Sequence, residues 1–336
     1  MDTALTPAWW SDARLHIVSG KGGTGKTTVA AALVIALAAG GRRTLLVEVE
    51  DRQGISQLFN IPPLPYGERP IAAAEGDGEV HALAVEPEAA LVEYLDMFYG
   101  LGRAGGMLRK VGAIDFATAV APGLRDVLLT GKVKEATTRA KDGKRAYDAV
   151  VLDAPPTGRI GRFLNVTAEV AQLAKVGPIK KQSDGVMDLL RSSRTAIHLV
   201  TLLEEMPVQE TIEAAHDLRE TGLDIASVII NMAAEPQLST GEIEQIAAGS
   251  AQTEGQLVAG LAEVGIDQAL APALRTELVE YAERFVIEQQ ARADLPSLGV
   301  PITELPRLHG QMTSDALYDL ADLIREQVGA EEVVSG

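Results

Sequence analysis

The chain has 336 residues, 46% of them hydrophobic and 23% charged, as expected of a globular protein large enough for a sizeable core. A formal net charge of −17 argues against a nucleic-acid partner held by a basic surface and against stable attachment to anionic lipid, although Lys132, Lys134, Arg139, Lys141, Lys144 and Arg145 could form one local basic patch. Cysteine is absent, which excludes disulfides and thiolate metal sites, and no run is long enough to span a bilayer, so a soluble, cytoplasmic protein without direct membrane insertion is expected.

In chain order, an irregular lead carries Trp9 and Trp10 side by side, a pair read as local packing. Arg14 to Val18 reads as a strand, and Val29 to Ala39 as an alanine-rich helix ended by Gly40 and Gly41. Between them lies GKGGTGKTT, Gly20 to Thr28, in the strand, glycine-rich turn and helix context of a phosphate loop. Gly20, Gly22, Gly23 and Gly25, with Thr24, allow successive backbone N–H groups to converge on a phosphate. Lys26 would reach the β- and γ-phosphates, Thr27 would hold Mg²⁺ through its hydroxyl, and Thr28 completes the motif. Lys21 is an ammonium beyond the ordinary pattern. It could face its own phosphates, or point across a dimer interface to a second subunit's nucleotide.

Thr44 to Val49 reads as a second strand with carboxylates at its C-terminal end, where parallel sheets carry ligands. Glu50 and Asp51 are the candidates to orient an attacking water, and either Glu48 or Glu50 could be structural instead. The proline- and glycine-rich stretch from Ile61 to Gly78 is expected to be loop, followed by a strand over Val80 to Val85 and a helix over Glu88 to Tyr99. Gly100 to Gly143 is loosely helical and is read as an insertion, in which Met107, Leu108, Val111, Ile114 and Phe116 could line an apolar groove.

Tyr147 to Asp153, YDAVVLD, reads as a buried strand whose terminal Asp153 would meet the Mg²⁺ shell, and APPTG continues as a rigid turn. Further helices are expected over Phe163 to Lys175, Val186 to Arg194, Val208 to Glu220, Gly241 to about Gly255, Leu270 to Gln290 and Ser314 to Val328. Strands are expected over Thr195 to Leu202, with His198 a packed residue, and over Ile225 to Asn231, with a turn-rich return over Pro296 to Pro306. The alternation predicts an α/β fold, a mostly parallel sheet flanked by helices on both faces. Residues 1–336 are read as one P-loop domain with a helical subdomain inserted at approximately 100–145, to which 176–194 could contribute.

The extra lysine at Lys21 marks the SIMIBI class of P-loop proteins. With YDAVVLDAPPTG and the Arg162-Phe163-Leu164 that follows, the chain resembles the ArsA/Get3 (TRC40) group of ATPases over nearly its whole length. The likeness extends to Glu204, Glu205, Glu210 and Thr211, to Ile229 to Asn231, and to Pro301 and Gly310. It implies an ATP- and Mg²⁺-dependent dimer in which Lys21 contacts phosphate in the opposite subunit, and Asn231 reads adenine with a loop near Val300 and Pro301. It also implies an insertion that answers to nucleotide state and serves an anion efflux channel or a hydrophobic tail anchor. The chain departs from the group's pattern at Glu50, Asp51, Arg52 and Gln53, which align with an Asp-Pro-Ala-His motif whose Asp positions the water, and at Arg159, where a histidine is often found. The group's thiol ligands and zinc staple are missing as well. The dimer could therefore be a homodimer or a heterodimer with a related subunit, and the chain either a slow, partner-dependent ATPase or a subunit that binds ATP without hydrolysing it. A tail-anchor chaperone and, less well fitting, a partitioning ATPase of the ParA/MinD class are the other expectations.

Overall fold

In the computed structural model the described residues are 10, 12–50, 53–99, 122–173, 178–236, 238–248, 252–308, 310 and 312–330. The proposed apolar groove from Met107 to Phe116 lies outside them, as do Trp9 and Asp51.

Eight strands form the main sheet: β1 (Leu15–Gly20), β2 (Arg43–Glu48), β3 (Arg69–Ala74), β4 (Gly78–Ala84), β7 (Ala149–Asp153), β8 (Thr195–Thr201), β9 (Ile225–Ala233) and β10 (Ile302–Pro306). Their order is β10-β9-β8-β1-β7-β2-β4-β3, and every neighbouring pair is parallel except β3 with β4. All six residues of β1 are buried, which suits a central parallel strand covered on both faces.

One face is covered by α1 (Lys26–Ala38) and the C-terminal α11 (Ser314–Ala330), which share a core with Val18, Leu46 and Val151. Helix α1 is apolar all round, and every residue from Val29 to Ala38 is buried, so it makes a wall of the core with no solvent side. The other face carries α4 (Pro122–Thr138), α5 (Thr157–Leu173), α6 (Pro178–Leu190) and α7 (Glu205–Glu220), which bury Leu129, Phe163, Leu189 and Leu218 against Ile17 and Leu152. The remaining helices are α2 (Gly54–Leu58), α3 (Pro87–Tyr99), α8 (Thr240–Ala247), α9 (Gln252–Glu263) and α10 (Ala271–Asp294). Ile243, Ile246, Ala282 and Phe285 make a small separate core between α8 and α10.

Three expectations are corrected. The stretch expected to be loop, Ile61 to Gly78, contains β3, which pairs antiparallel with β4. Pro70 misled the sequence reading because it lies on the edge strand, at a shift in register between Pro70 and Ala72, the kind of place where a strand tolerates proline. The stretch expected to be helical to Gly143 ends instead in a short hairpin, β5 (Ala140–Lys141) with β6 (Lys144–Arg145). The basic patch is partly neutralised: Lys132 turns to Glu93 at 2.8 Å and to Glu135 at 3.2 Å, and Arg139 pairs with Glu68.

His198 is fully buried, as expected of a packed residue, but it is not alone. His16 Nδ1 and His198 Nε2 are 3.1 Å apart, the rings stack, and His198 Nδ1 is 2.7 Å from the Ser227 hydroxyl. Burial, then the neighbouring His198, Arg42 and Arg14, hold His16 well below its ordinary value, and burial pushes His198 down to about 3. Both rings are therefore neutral in the folded chain, whereas the unfolded chain takes up their protons below about pH 6.5. The stability they allow is complete above that pH and is lost as the pH falls. Each histidine should lower the unfolding free energy by up to about 1.4 kcal/mol per pH unit. Asp153, pushed up to about 6 by burial, offsets part of the slope. Urea unfolding between pH 7.5 and 5.5 should show a falling midpoint; a level or rising one would contradict neutral burial of the pair.

Candidate functional site

The loop joining β1 to α1 lies at the C-terminal edge of the sheet. Val18 on β1 and Glu48 on β2 are both in register with Asp153 on β7, so three strand ends arrive side by side beneath it. Glycine is needed at Gly25, which sits at φ +81; a Cβ there would stand 2.3 Å from Asn231 Nδ2. At Gly20 an added Cβ would meet the Val200 carbonyl oxygen at 2.2 Å. Gly22 and Gly23 are exposed, and a Cβ on either would meet nothing within 4 Å. Gly23 sits at φ +91, which itself calls for glycine, whereas Gly22 has no such demand and leaves room for close approach by a ligand. Thr24 is buried and its hydroxyl donates to the Lys21 carbonyl at 2.9 Å, tightening the turn.

Lys26 begins α1 and is buried, and Thr28, half-buried, lies within the same first turn. The Thr27 hydroxyl donates to Asp153 Oδ2 at 2.6 Å, so the two residues expected to share a metal ion are already joined. Burial pushes the Asp153 carboxyl up to about 6; the Thr27 bond and the Lys26 ammonium pull it down, and Glu48 and Glu50 push it further up. The alcohol-plus-carboxylate set at the foot of a loop with open glycine positions fits a hard cation with oxygen ligands. The buried Thr157 hydroxyl, at the start of α5 just beyond the APP turn, has no hydrogen-bond partner among the described residues.

Glu48, the last residue of β2, and Glu50, beyond it, have different partners. Glu48 is buried, and its Oε1 accepts the Gly54 N–H at 2.9 Å, fixing the start of α2. Glu50 lies beyond the strand and accepts from Arg159 Nη1 at 3.2 Å. Lys21 is paired within its own chain: its Nζ is 2.8 Å from Glu210 Oε1 on α7, with about a third of each side chain exposed. A pair that exposed is worth at most about 1 kcal/mol, so Lys21 can leave it at little cost.

Asn231 is buried under the loop and its Nδ2 donates to the Thr24 carbonyl at 2.9 Å. Val300 and Pro301 do not join it, which corrects the expected grouping. They lead into β10 at the opposite edge of the sheet, where the Pro301 carbonyl accepts from Val228 N at 2.9 Å. Because β10 runs parallel to β9, the residues beyond its far end, Arg307 and Leu308, are the ones at the loop edge; Arg307 N donates to the Ala233 carbonyl at 2.9 Å. Sequence reasoning also missed Met232, a non-glycine residue at φ +54 whose Cε lies 3.5 Å from where a Gly25 Cβ would stand. Left-handed backbone at a methionine is uncommon and carried no signal in the sequence.

The profile of the ArsA-type anion-transporting ATPases matches residues 13–193, more than half of the chain and the part that contains the loop, Glu50, Asp153 and Arg159. The chain belongs to this family. ATPase BagA of Mycobacterium tuberculosis is 51% identical over 326 residues, which span 96% of this chain and 95% of that protein. More distant relatives are the arsenical pump-driving ATPase of Acidiphilium multivorum, 26% identical over 75% of this chain and 45% of its own, and ATPase GET3 of Kluyveromyces lactis, 26% identical over 65% of this chain and 71% of its own. Among the described residues no helix is long and apolar enough to cross a membrane.

Gly25→Ala tests the loop geometry. The added methyl must displace Asn231 and hold a left-handed backbone, so nucleotide affinity should fall at least about 10-fold, the loss of one or two kcal/mol expected for such strain. Titration with a fluorescent ATP analogue reads it, and affinity equal to wild type would show that the loop is not the binding surface.

Proposed function

We propose that this chain is a cytoplasmic, Mg²⁺-dependent ATPase subunit that works as a dimer and couples its nucleotide state to a membrane-transport or protein-targeting partner. The observation that carries the reading is the Thr27–Asp153 bond at the foot of the glycine-rich loop, with Lys26 buried beside it. Family membership supports the ATPase activity; the two classes of partner are those implied by the resemblance to the ArsA/Get3 group.

The loop amides and the Lys26 ammonium would hold the β- and γ-phosphates and stabilise the negative charge that builds on the transferring group. Thr27 and Asp153 would hold Mg²⁺, whose charge would help neutralise the phosphates. Glu50 would orient water toward the γ-phosphorus, positioning being the larger part of its task. Lys21, once free of Glu210, would reach a nucleotide in a second subunit, either another copy or a related ATPase subunit. That exchange would tie turnover to closure of the dimer. The inserted part between β4 and β7, which includes α4, would answer to nucleotide state, and its client would be a membrane protein or an apolar helix.

A second reading, a subunit that binds ATP without hydrolysing it, draws on one observation: Glu50 is engaged by Arg159 rather than standing open to water. Mg²⁺-dependent phosphate release from the purified protein separates the two. Turnover that falls at least about 100-fold in Lys26→Ala, the scale of losing one transition-state donor, would support the ATPase. Tight ATP binding with no phosphate release would favour the second reading, and turnover unchanged in Lys26→Ala would overturn both.

A further inference from the structure

Glu50 and Arg159, two of the positions at which the sequence departs from its resemblance, are partners in space. Glu50 follows β2; Arg159 lies in the first turn of α5, six residues beyond Asp153, and its backbone N–H is tied to the Pro156 carbonyl at 2.8 Å. The Glu50 side chain is 14% exposed and that of Arg159 is 63% exposed, so an enclosed carboxylate is reached by a guanidinium from the solvent side, with Nη1 to Oε1 at 3.2 Å. Next to the pair is a cavity of about 240 Å³, bordered also by Arg125, Asp126, Pro155 and Phe163. At about 30 Å³ per molecule it has room for several waters. Asp126 comes from α4. Burial pushes its carboxyl up while the charges of Arg159, Arg125 and Arg162 pull it down, and it lines the same cavity as Glu50 and Arg159.

A glutamate carries one more rotatable bond than an aspartate and leaves its carboxylate less well placed by the backbone alone. A second anchor can restore the placement. We propose that Arg159 is that anchor: a positioning residue that holds the Glu50 carboxylate at the edge of a water-sized polar cavity and joins the segment after β2 to the segment after β7. Asp126, on α4, lines the same cavity and feels the charge of Arg159. The proposal rests on the ATPase reading for the task that Glu50 performs. It differs from that reading in making the two departures one working unit instead of two defects.

The test uses the full-length protein with Arg159→Ala, Arg159→Lys, Glu50→Gln and the Arg159→Ala/Glu50→Gln pair, read by steady-state MgATP turnover and by affinity for MgADP with and without aluminium fluoride, a mimic of the transferring phosphate. Loss of an anchor that fixes a reacting group to within about 1 Å is worth up to about 100-fold in rate. Arg159→Ala should therefore lose between about 10- and 100-fold in kcat with KM within about 2-fold, and should lose the tightening by aluminium fluoride while keeping its MgADP affinity. Arg159→Lys should recover part of the rate, and Arg159→Ala should add little to Glu50→Gln. Unchanged or raised kcat in Arg159→Ala, or a full independent loss on top of Glu50→Gln, would overturn the positioning role while wild-type turnover kept the ATPase reading intact. Wild-type protein that neither turns over MgATP nor tightens on MgADP with aluminium fluoride would overturn both.

Discussion

The Thr27–Asp153 hydrogen bond is the join on which the site depends. It connects the start of α1 to the end of β7, elements more than a hundred residues apart in the chain, and it exists because Asp153 lies in register with Val18 on one side and Glu48 on the other. A one-residue slip in either ladder would turn Asp153 to the opposite face of the sheet and leave the half-buried Thr27 hydroxyl without its acceptor. The apolar strands and the all-round apolar α1 fix that register, so the hydrophobic core determines where the polar chemistry can occur.

Around this join the charged groups are held by partners from other elements. Glu48 fixes the start of α2, Lys21 is drawn toward α7 by Glu210, and Glu50 is drawn toward α5 by Arg159. These contacts differ in how readily they exchange. Glu48 is buried where it accepts from Gly54, whereas the Lys21–Glu210 pair is solvent-screened and costs little to break. The nucleotide edge is thus built from a rigid floor of strand ends and a rim of ion pairs that a ligand can rearrange.

Much of this was legible in the sequence because it rests on local signals. The glycine-rich loop, the alanine-rich helix behind it, the apolar strand ending at Asp153 and the parallel α/β alternation follow from spacing and periodicity. What was not legible depends on pairing at long range. Pro70 reads as a loop residue until its strand is known to lie at the sheet edge, and Val300 and Pro301 seem to adjoin Asn231 until the parallel direction of β10 puts them at the far edge. His16 gives no sign of stacking on His198, which is 182 positions away. Glu50 and Arg159 each read as a departure from the family pattern, and only their contact shows that one departure answers the other.

The central claim is that Thr27 and Asp153 form the metal-bearing floor of a nucleotide site. The most direct measurement is ATP affinity with and without Mg²⁺ in the wild-type protein and in Asp153→Asn, which keeps the size of the side chain and removes its charge. Wild-type affinity that rises with Mg²⁺, and an Asp153→Asn protein that binds ATP but has lost most of that rise, is the result this account requires. An equal Mg²⁺ effect in both proteins, with the variant folded, would contradict it.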